Sequence, residues 1–408
     1  MTDIPNLEIL VIGAGMNGGA MACALAQAGF EVGVVERQAP LLTWDDSDYD
    51  PRVSALTHAS RNLLRNLSAW PAMRAERVAT YDAMHVWDAN GEGRIHFDAA
   101  EIGEPDLGHI VENRVTTKAL WLRLQREANV ISIDTDSLQS FRRDGRWMHV
   151  ELGSGRQLRC ELIIGADGAK SRVRQLAAIG ANGWNYDQHA VVTTVQTEKP
   201  HQATAWQRFM PTGPLALLPL DQPHYSSIVW STHPEHAEEL LALPEDAFLQ
   251  QLTSASETVL GRALACSRRA AFPLRLSHAR DYVAPGLALI GDAAHTVHPL
   301  AGQGVNLGFL DVAELSRVLS DARKRRRPLG DLLTLRKYER ARKADNLAMQ
   351  AGMDAFKRLF SNANPLLRGI RDAGMNLTDR ATPLKHRIMR HALGDRGDAP
   401  LLKHRSTP

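Results

Sequence analysis

The fold of this 408-residue chain is decided by Leu7-Glu8-Ile9-Leu10-Val11-Ile12-Gly13-Ala14-Gly15-Met16-Asn17-Gly18. Its first half, residues 7–12, is a short apolar run that predicts a buried parallel strand. Small residues over 18–29 predict a helix, and residues 31–36 predict a second strand. The pattern therefore predicts a β-α-β unit that opens an α/β domain.

The glycines between the first strand and the helix predict a phosphate-binding turn. Gly13 permits the tight turn, Gly15 lets the backbone approach a pyrophosphate, and Gly18 lets helix and strand pack closely. The start of the helix then offers free N–H groups to the phosphates. Glu36 ends the second strand, where an acid can accept a hydrogen bond from a ribose hydroxyl. These features predict a bound dinucleotide without separating FAD from NAD.

A second glycine-rich motif separates the two cofactors. The segment Gly291-Asp292-Ala293-Ala294-His295 follows a predicted strand at 287–290, and a glycine-rich loop at 299–308 comes next. An aspartate at the end of a strand can accept hydrogen bonds from a polyol, and flavin cofactors carry one, ribitol, that NAD lacks. The motif therefore favours FAD, and the alternative is a coincidental Gly-Asp turn.

A third motif, Gly165-Ala166-Asp167-Gly168-Ala169-Lys170-Ser171-Arg172-Val173-Arg174, follows an apolar run at 160–165 that predicts another buried strand. Its Asp-Gly pair is typical of a turn. Taken alone, the motif fits an ordinary turn and capped helix equally well.

In this order, the three motifs resemble those of the single-component aromatic hydroxylases that bind FAD and take electrons from NADH or NADPH. The chain has no second Gly-x-Gly-x-x-Gly for the nicotinamide, which agrees with that family. Over essentially its whole length it is similar to the hydroxylases of ubiquinone biosynthesis, and most similar to those that act on the demethoxy-ubiquinol ring. The similarity rests on residues 107–113, 184–186 and 298–308 for the family, and on 15–16, 97–101, 349–354 and 365–368 for that subgroup.

The resemblance implies a set of residues around FAD. Those expected at the ADP part are Gly13, Gly15, Gly18, Glu36 and Arg37. Those expected at the flavin part are Arg52, Arg114, Asp167 and Asp292, with a loop that contributes Pro299, Gly302, Gln303, Gly304, Val305 and Asn306. For Arg52 and Arg114 the alternative is an ordinary surface charge.

The resemblance also implies the chemistry. A flavin supplies the difficult chemistry, and the protein supplies position, electrostatics and the exclusion of water. The expected reaction uses NAD(P)H and O2 to hydroxylate a polyprenylated phenol or quinol. His298 is the best polar candidate beside the ring, with a structural histidine as the alternative, and His295 is expected to be structural.

The order of the motifs predicts a Rossmann-like FAD domain that is discontinuous in sequence. We expect residues 1–70, 101–180 and 281–330 to form it, because the motifs at both ends of the chain must meet on one cofactor. Alternating apolar runs and several tryptophans indicate an inserted β-sheet substrate domain. That domain is expected from residues 71–100 and 181–280, followed by a helical C-terminal segment at 331–408. Within that segment, a stripe of Met349, Met353, Phe356 and Phe360 indicates a buried helix face or a lining for an apolar substrate tail.

Composition narrows the cellular setting. Three widely spaced cysteines, Cys23, Cys160 and Cys266, fit neither a disulfide framework nor a metal site. The N-terminus lacks the basic region of a signal peptide, and no apolar run is long enough to span a bilayer. We therefore expect a cytoplasmic protein without a structural metal.

Charge is unevenly distributed. Residues 321–408 contain 21 Lys and Arg against nine Asp and Glu, and the densest run is Arg323-Lys324-Arg325-Arg326-Arg327. Such a run can contact an anionic membrane surface or a biosynthetic complex, or it can simply solvate a helix end. No nucleic-acid-binding motif accompanies it, so nucleic acid is not expected as a partner.

Three alternatives to the demethoxy-ubiquinol step stay open from the sequence. The chain could hydroxylate another ring position in the same pathway, as a polyprenylphenol hydroxylase does. It could also act on an unrelated aromatic compound, as a hydroxylase or as a flavin oxidase. Finally, it could be a non-catalytic flavoprotein scaffold, although a scaffold need not keep Asp292 and the flavin-facing loop.

Overall fold

The computed structural model describes residues 6–45, 48–296, 304–360, 374–375, 377–379, 381–394 and 399–403. For residues 132, 134 and 352–360 only the backbone is described. Strands of three sheets and the helices around them occupy this part of the chain.

The strands are numbered in chain order. They are β1 Asn6–Ile12, β2 Val32–Glu36, β3 Val53–Leu56, β4 Ala79–Tyr81, β5 Ala83–Asp88, β6 Arg94–Asp98, β7 Gly108–Glu112, β8 Val130–Thr135, β9 Leu138–Asp144, β10 Trp147–Leu152, β11 Gln157–Gly165, β12 Ala181–Thr197, β13 Thr204–Met210, β14 Gly213–Pro219, β15 Tyr225–Thr232, β16 Ala263–Cys266, β17 Ala270–Ala279, β18 Val283–Ala284, β19 Leu287–Leu289 and β20 His295–Thr296.

The helices are numbered in the same way. They are α1 Met16–Gln27, α2 His58–Asn66, α3 Trp70–Glu76, α4 Asn113–Leu124, α5 Arg172–Leu176, α6 Pro234–Ala242, α7 Glu245–Ala255, α8 Gly304–Lys324, α9 Leu332–Phe360 and α10 Thr382–Ala392. Short 3-10 turns lie at 99–102, 291–293 and 400–402.

The first sheet has the order β18-β19-β11-β1-β2-β8, with β10 and β9 paired beyond β11. Strands β19, β11, β1, β2 and β8 run parallel to their neighbours. Strand β1 is mostly apolar and buried, as is typical of a central strand in a parallel sheet. Its neighbours β11 and β2 are largely buried as well. The four strands predicted from apolar runs are therefore adjacent in one sheet, as an α/β fold requires.

The second sheet is mostly antiparallel, with the order β20-β17-β12-β15-β14-β13-β5-β6 and β16 paired with β12. Helices α6 and α7 cover one face, where Val191, Leu217, Ile228, Phe248 and Leu252 form a separate apolar core. This sheet confirms that a β-sheet layer is inserted into the α/β domain, as predicted. We propose the domain boundaries given above as the division of the folded chain.

The helical C-terminal segment is also confirmed. Helix α9 ends at Phe360, and α10 packs its Met389 against a small cluster with Ala99 and Leu107. Met349 is half-buried, whereas the side chains of Met353, Phe356 and Phe360 lie outside the described ones. None of the helices in the described part of the chain combines the length and apolarity needed to cross a bilayer.

Candidate active site

Two cavities adjoin at the N-terminus of α1. The larger has a volume of about 1060 Å³ and the smaller about 940 Å³. Both are lined by Gly15, Pro51, Arg52 and Asn113, so they form two halves of one continuous site. A site of this extent suits an elongated dinucleotide with room for a second molecule.

The glycines of the first turn have the three different environments that the sequence predicts. Gly13 has a φ of +97°, and a Cβ there would lie 2.5 Å from the carbonyl oxygen of Ala166. A Cβ on Gly18 would overlap the carbonyl oxygen of Gly13. In contrast, a Cβ on Gly15 would meet no protein atom within 4 Å, because this residue faces the cavity. The backbone at Gly15 is thus open to a close-lying pyrophosphate.

Glu36 ends β2 and lines the smaller cavity. Its Oε2 accepts a hydrogen bond of 2.6 Å from the N–H of Ala14, which fixes the carboxylate beside the glycine turn. Arg37 lines the same cavity and has no ion pair with any described residue. These positions fit the ADP part of FAD, since one acid can face a ribose and one cation a phosphate.

Arg52 and Arg114 border the smaller cavity in different ways. Arg52 also lines the larger cavity. Arg114 donates to Glu112 Oε2 at 2.9 Å and to Asp48 Oδ2 at 2.9 Å, and its guanidinium stacks over Trp44. Arg114 therefore contacts both Trp44 and Asp48, and Asp48 lines the smaller cavity.

Glu112 is a site residue that the sequence reasoning missed. Its carboxylate is buried, pairs with Arg77 at 3.1 Å and accepts a 2.6 Å hydrogen bond from the N–H of Asp50. Burial raises the pKa of Glu112 above its ordinary value, although Asp50, Arg77 and Arg114 oppose the rise. An acid that ends an apolar run, directly before the helix that carries Arg114, was the available signal.

Asp292 lies in the 3-10 turn after β19 and faces the larger cavity. The surrounding protein raises the pKa of its carboxyl, and His295 offsets part of the rise. Gly291, which has a φ of +56°, allows the turn to begin directly after the strand. The carboxylate is thus held at the wall of the larger cavity.

A buried network of charged side chains stabilises this turn. Asp311 Oδ2 accepts hydrogen bonds from the Gly291 N–H at 3.0 Å and from His295 Nε2 at 2.5 Å. Its Oδ1 accepts a 2.9 Å hydrogen bond from Arg342 of α9. Burial alone would raise the pKa of Asp311, but the charges and hydrogen bonds of His295 and Arg342 outweigh it and hold that pKa below its ordinary value. His295 is therefore structural, and Asp311 was missed although it interrupts the apolar run of α8.

The acid of the third motif, Asp167, was expected at the flavin part of FAD, but its carboxylate bonds to the start of a helix. Asp167 accepts hydrogen bonds from the N–H groups of Arg172 and Val173, and from Ser171 Oγ, so it caps α5. The residues beside it, Ala166 and Gly168 to Lys170, line the larger cavity. The motif thus reaches the cavity through its backbone, while the Asp167 carboxylate stabilises the start of a helix.

The loop after β20 is described only from Gly304 onward. His298, Pro299, Gly302 and Gln303 lie outside the described residues. Gly304 and Val305 line the larger cavity at the start of α8, as expected.

Asn306 does not line either cavity. Its side chain accepts hydrogen bonds from Thr57 N–H and Ser60 Oγ and donates to the carbonyl oxygen of Ala55. These hydrogen bonds connect α8 to β3 and α2. Loop position alone could not reveal this, because those partners lie about 250 residues earlier.

One wall of the larger cavity is apolar. Strands β12 and β17 contribute Ala190, Val192, Leu274 and Leu276. These residues line the same cavity as the turn at Asp292. No cluster of three or more metal-binding side chains occurs among the described residues.

Together, the glycine turn, Glu36 and Asp292 in one continuous site fit FAD from end to end, which defines the class as a flavoprotein. The sequence profile of the family described as "FAD binding domain" matches residues 6–351. The chain belongs to this family.

Full-length relatives narrow the class further. The chain is 41% identical over 394 residues to the 3-demethoxyubiquinol 3-hydroxylase of Escherichia coli K12, covering 97% of this chain and 100% of that protein. It is 37% identical to the human mitochondrial ubiquinone biosynthesis monooxygenase COQ6, covering 94% and 92% of the two chains. It is also 37% identical to the ubiquinone hydroxylase UbiL of Rhodospirillum rubrum, covering 95% and 89%.

Solved structures support the fold. The p-nitrophenol 4-monooxygenase PnpA of Pseudomonas putida superposes with a TM-score of 0.78 at 18% identity, covering 97% of this chain and all of that one. A single-residue variant of HpxO from Klebsiella pneumoniae, complexed with FAD, gives a TM-score of 0.74 at 16% identity over 97% and 100% of the chains. The predicted fold, the FAD cofactor and the assignment as an FAD-dependent ring monooxygenase are confirmed.

Proposed function

We propose that this chain hydroxylates the aromatic ring of a polyprenylated quinol in ubiquinone synthesis, at the demethoxy-ubiquinol step, with NAD(P)H and O2. The observation that carries the proposal is an apolar wall in the same cavity that the turn at Asp292 lines. The full-length relative named for that step supports the choice of ring position. Bound flavin would supply oxygen activation, which amino-acid side chains cannot provide.

The chain's own residues would hold and orient the cofactor. We propose Gly13, Gly15, Gly18, Glu36 and Arg37 for the ADP part, and Arg52, Asp292, Gly304 and Val305 for the flavin part, with Pro299, Gly302 and Gln303 completing the loop. Arg114 would act by fixing the segment around Asp48. His298 is proposed as the polar group beside the substrate ring.

A complementation experiment tests the ring position. The chain is expressed in bacterial strains that each lack one ubiquinone hydroxylase, and the accumulated prenylated intermediates are identified by mass spectrometry. We expect the demethoxy intermediate alone to disappear. Loss of a different hydroxylation intermediate would assign another ring position, and no change in any strain would contradict the proposal.

Purified protein separates a hydroxylase from an oxidase or a scaffold. We expect NAD(P)H oxidation to accelerate on addition of a prenylated quinol, and label from isotopic O2 to enter the product. Oxidation without label in the product indicates an oxidase. Retained FAD without any oxidation indicates a scaffold.

We propose a cytoplasmic protein that reaches its substrate by peripheral contact with the membrane or with a biosynthetic complex. An apolar tail favours the bilayer, since each buried CH2 contributes about 0.8 kcal/mol. Gel filtration of cell extract at low and high salt tests the complex, because a charge-dependent assembly dissociates as salt rises.

A further inference from the structure

The basic run at the end of α8 is poorly placed to serve the active site. Helix α8 begins at the cavity with Gly304, and its 21 residues extend about 30 Å to Lys324. Arg323 already stacks over Phe30 and lies 3.5 Å from Glu8. A bilayer bound at residues 323–327 would therefore lie a helix length away from the ring cavity.

The margin of the larger cavity exposes aromatic side chains. Trp184 of β12 and Phe272 of β17 line this cavity, and their exposed fractions are 47% and 40%. Both continue the apolar wall outward: Trp184 pairs with Leu276, and Phe272 pairs with Ala190. Apolar side chains therefore line this cavity both in the buried interior and at the solvent-exposed margin, and a prenyl tail too long for the cavity would leave at that margin.

Two cations flank the same margin. Lys170 and Arg275 line the larger cavity and are exposed, and neither has a hydrogen bond or ion pair with another described side chain. Two acids in or beside the cavity wall do not neutralise them. Asp167 is engaged as a helix cap, and Asp292 lies at the ribityl turn.

From this arrangement we infer that the cavity mouth, defined by Trp184, Phe272, Lys170 and Arg275, docks on an anionic bilayer. Tryptophan and phenylalanine insert at the level of the lipid headgroups, and lysine and arginine beside them attract anionic lipids. Docking there aligns the apolar wall with the acyl region, so a prenylated quinol can enter without passing through water. The inference deepens the proposed function, because it rests on a membrane-held substrate.

Vesicle binding by the FAD-loaded full chain tests the inference. Sedimentation is measured with vesicles of neutral phosphatidylcholine and with vesicles containing phosphatidylglycerol, at low salt and without substrate. The variant Lys170→Gln/Arg275→Gln should bind the anionic vesicles about 30-fold more weakly, roughly fivefold for each cation removed. Its FAD content, compared with that of the parent, reports whether the variant is folded.

Two matched controls remove equivalent groups elsewhere. Arg323→Gln/Arg325→Gln/Arg327→Gln removes more charge at the far end of α8. Leu384→Ser/Ile388→Ser removes exposed apolar side chains from α10. Both should bind within about twofold of the parent, because they leave the mouth intact.

Quenching by brominated acyl chains locates the contact directly. Parent fluorescence should be quenched on binding, and Trp184→Phe should lose most of that quenching while still sedimenting. Unquenched Trp184, or equal loss of binding in a control variant, overturns the inference. Because vesicle binding is measured without turnover, failed hydroxylation of a prenylated quinol would reject the proposed function separately.

Discussion

At the end of the site proposed for the ADP part of FAD (the ADP end), Gly13, Gly18 and Glu36 belong to one β-α-β unit, and backbone sterics set their geometry. At the end proposed for the ribityl chain (the ribityl end), by contrast, the turn at Asp292 is held by Asp311 and His295, and Arg342 of α9 pairs with Asp311. The first arrangement depends on the absence of side chains, and the second depends on buried charges. The two ends should therefore respond differently to substitution and to pH.

The largest loss of stability is expected from Asp311→Asn, which disrupts the buried network at the ribityl end. The change removes the buried charge that pairs with both Arg342 and His295, and it leaves the partly exposed Asp345 as the remaining acid beside Arg342. Breaking a buried ionic network in this way costs about 3–5 kcal/mol of the free energy of unfolding. The folded-state pKa of Asp311 is depressed, so its contribution is present above the unfolded pKa of about 3.9 and lost as pH falls through the folded pKa. Urea unfolding at pH 7 and below pH 4 should show the difference from the parent shrinking in acid.

A surface acid on the same helix provides the control for Asp311→Asn. Asp321 is half-exposed and pairs with Arg317 at 3.2 Å, so Asp321→Asn should cost less than about 1 kcal/mol. Equal costs for the two variants would contradict a structural role for the buried network.

At the ADP end, by contrast, we expect substitutions to act through steric overlap. Gly18→Ala places a methyl group against the Gly13 carbonyl, and we expect about 3 kcal/mol of destabilisation with loss of bound FAD. Gly15→Ala provides the contrast, because its methyl group meets no protein atom. The apo form of Gly15→Ala should unfold like the parent apo protein, yet FAD titration should show weaker binding. Normal FAD affinity in Gly15→Ala would mean that the pyrophosphate lies elsewhere.

This contrast also explains what the sequence could predict. The roles of Gly13, Gly18 and Glu36 follow from local spacing, because a β-α-β unit fixes their relative positions. Asp292 could be proposed from the sequence because its motif directly follows an apolar strand, and it lines the larger cavity. The partnership of Asp311 with Arg342 spans 31 residues and two helices, so no local spacing reveals it.

Local spacing also left two side-chain directions undetermined. Asp167 could face the cavity or cap α5, and only the direction of its backbone turn decides between them. Asn306 is fixed by partners on β3 and α2. The β-sheet class of the inserted region was predictable from alternation, whereas the cavity wall depends on the register between β12 and β17.

A smaller effect, confined to cofactor binding, is expected at Asp292. Asp292→Ala removes an acceptor for ribityl hydroxyl groups and should weaken FAD binding by about 1–3 kcal/mol. The folded-state pKa of Asp292 is raised, so its charged form disfavours folding near neutral pH. The apo variant should therefore unfold at the same or a slightly higher urea concentration than the parent. Full FAD occupancy with unchanged activity would show that the ribityl chain does not contact Asp292.

The smallest effect is expected far from both ends of the site, at Arg323→Gln/Arg325→Gln/Arg327→Gln. The pair between Arg323 and Glu8 is partly exposed, and such pairs contribute about 0–1 kcal/mol. The triple variant should bind FAD like the parent and lose less than about 1 kcal/mol of unfolding free energy. FAD titration and urea unfolding measure both quantities. If FAD affinity fell instead, charge at the end of α8 would be acting on the ribityl turn through the helix that carries Asp311, and the two regions would not be independent. Unchanged affinity would show that the basic run does not act on the turn at Asp292, and that the two regions are independent.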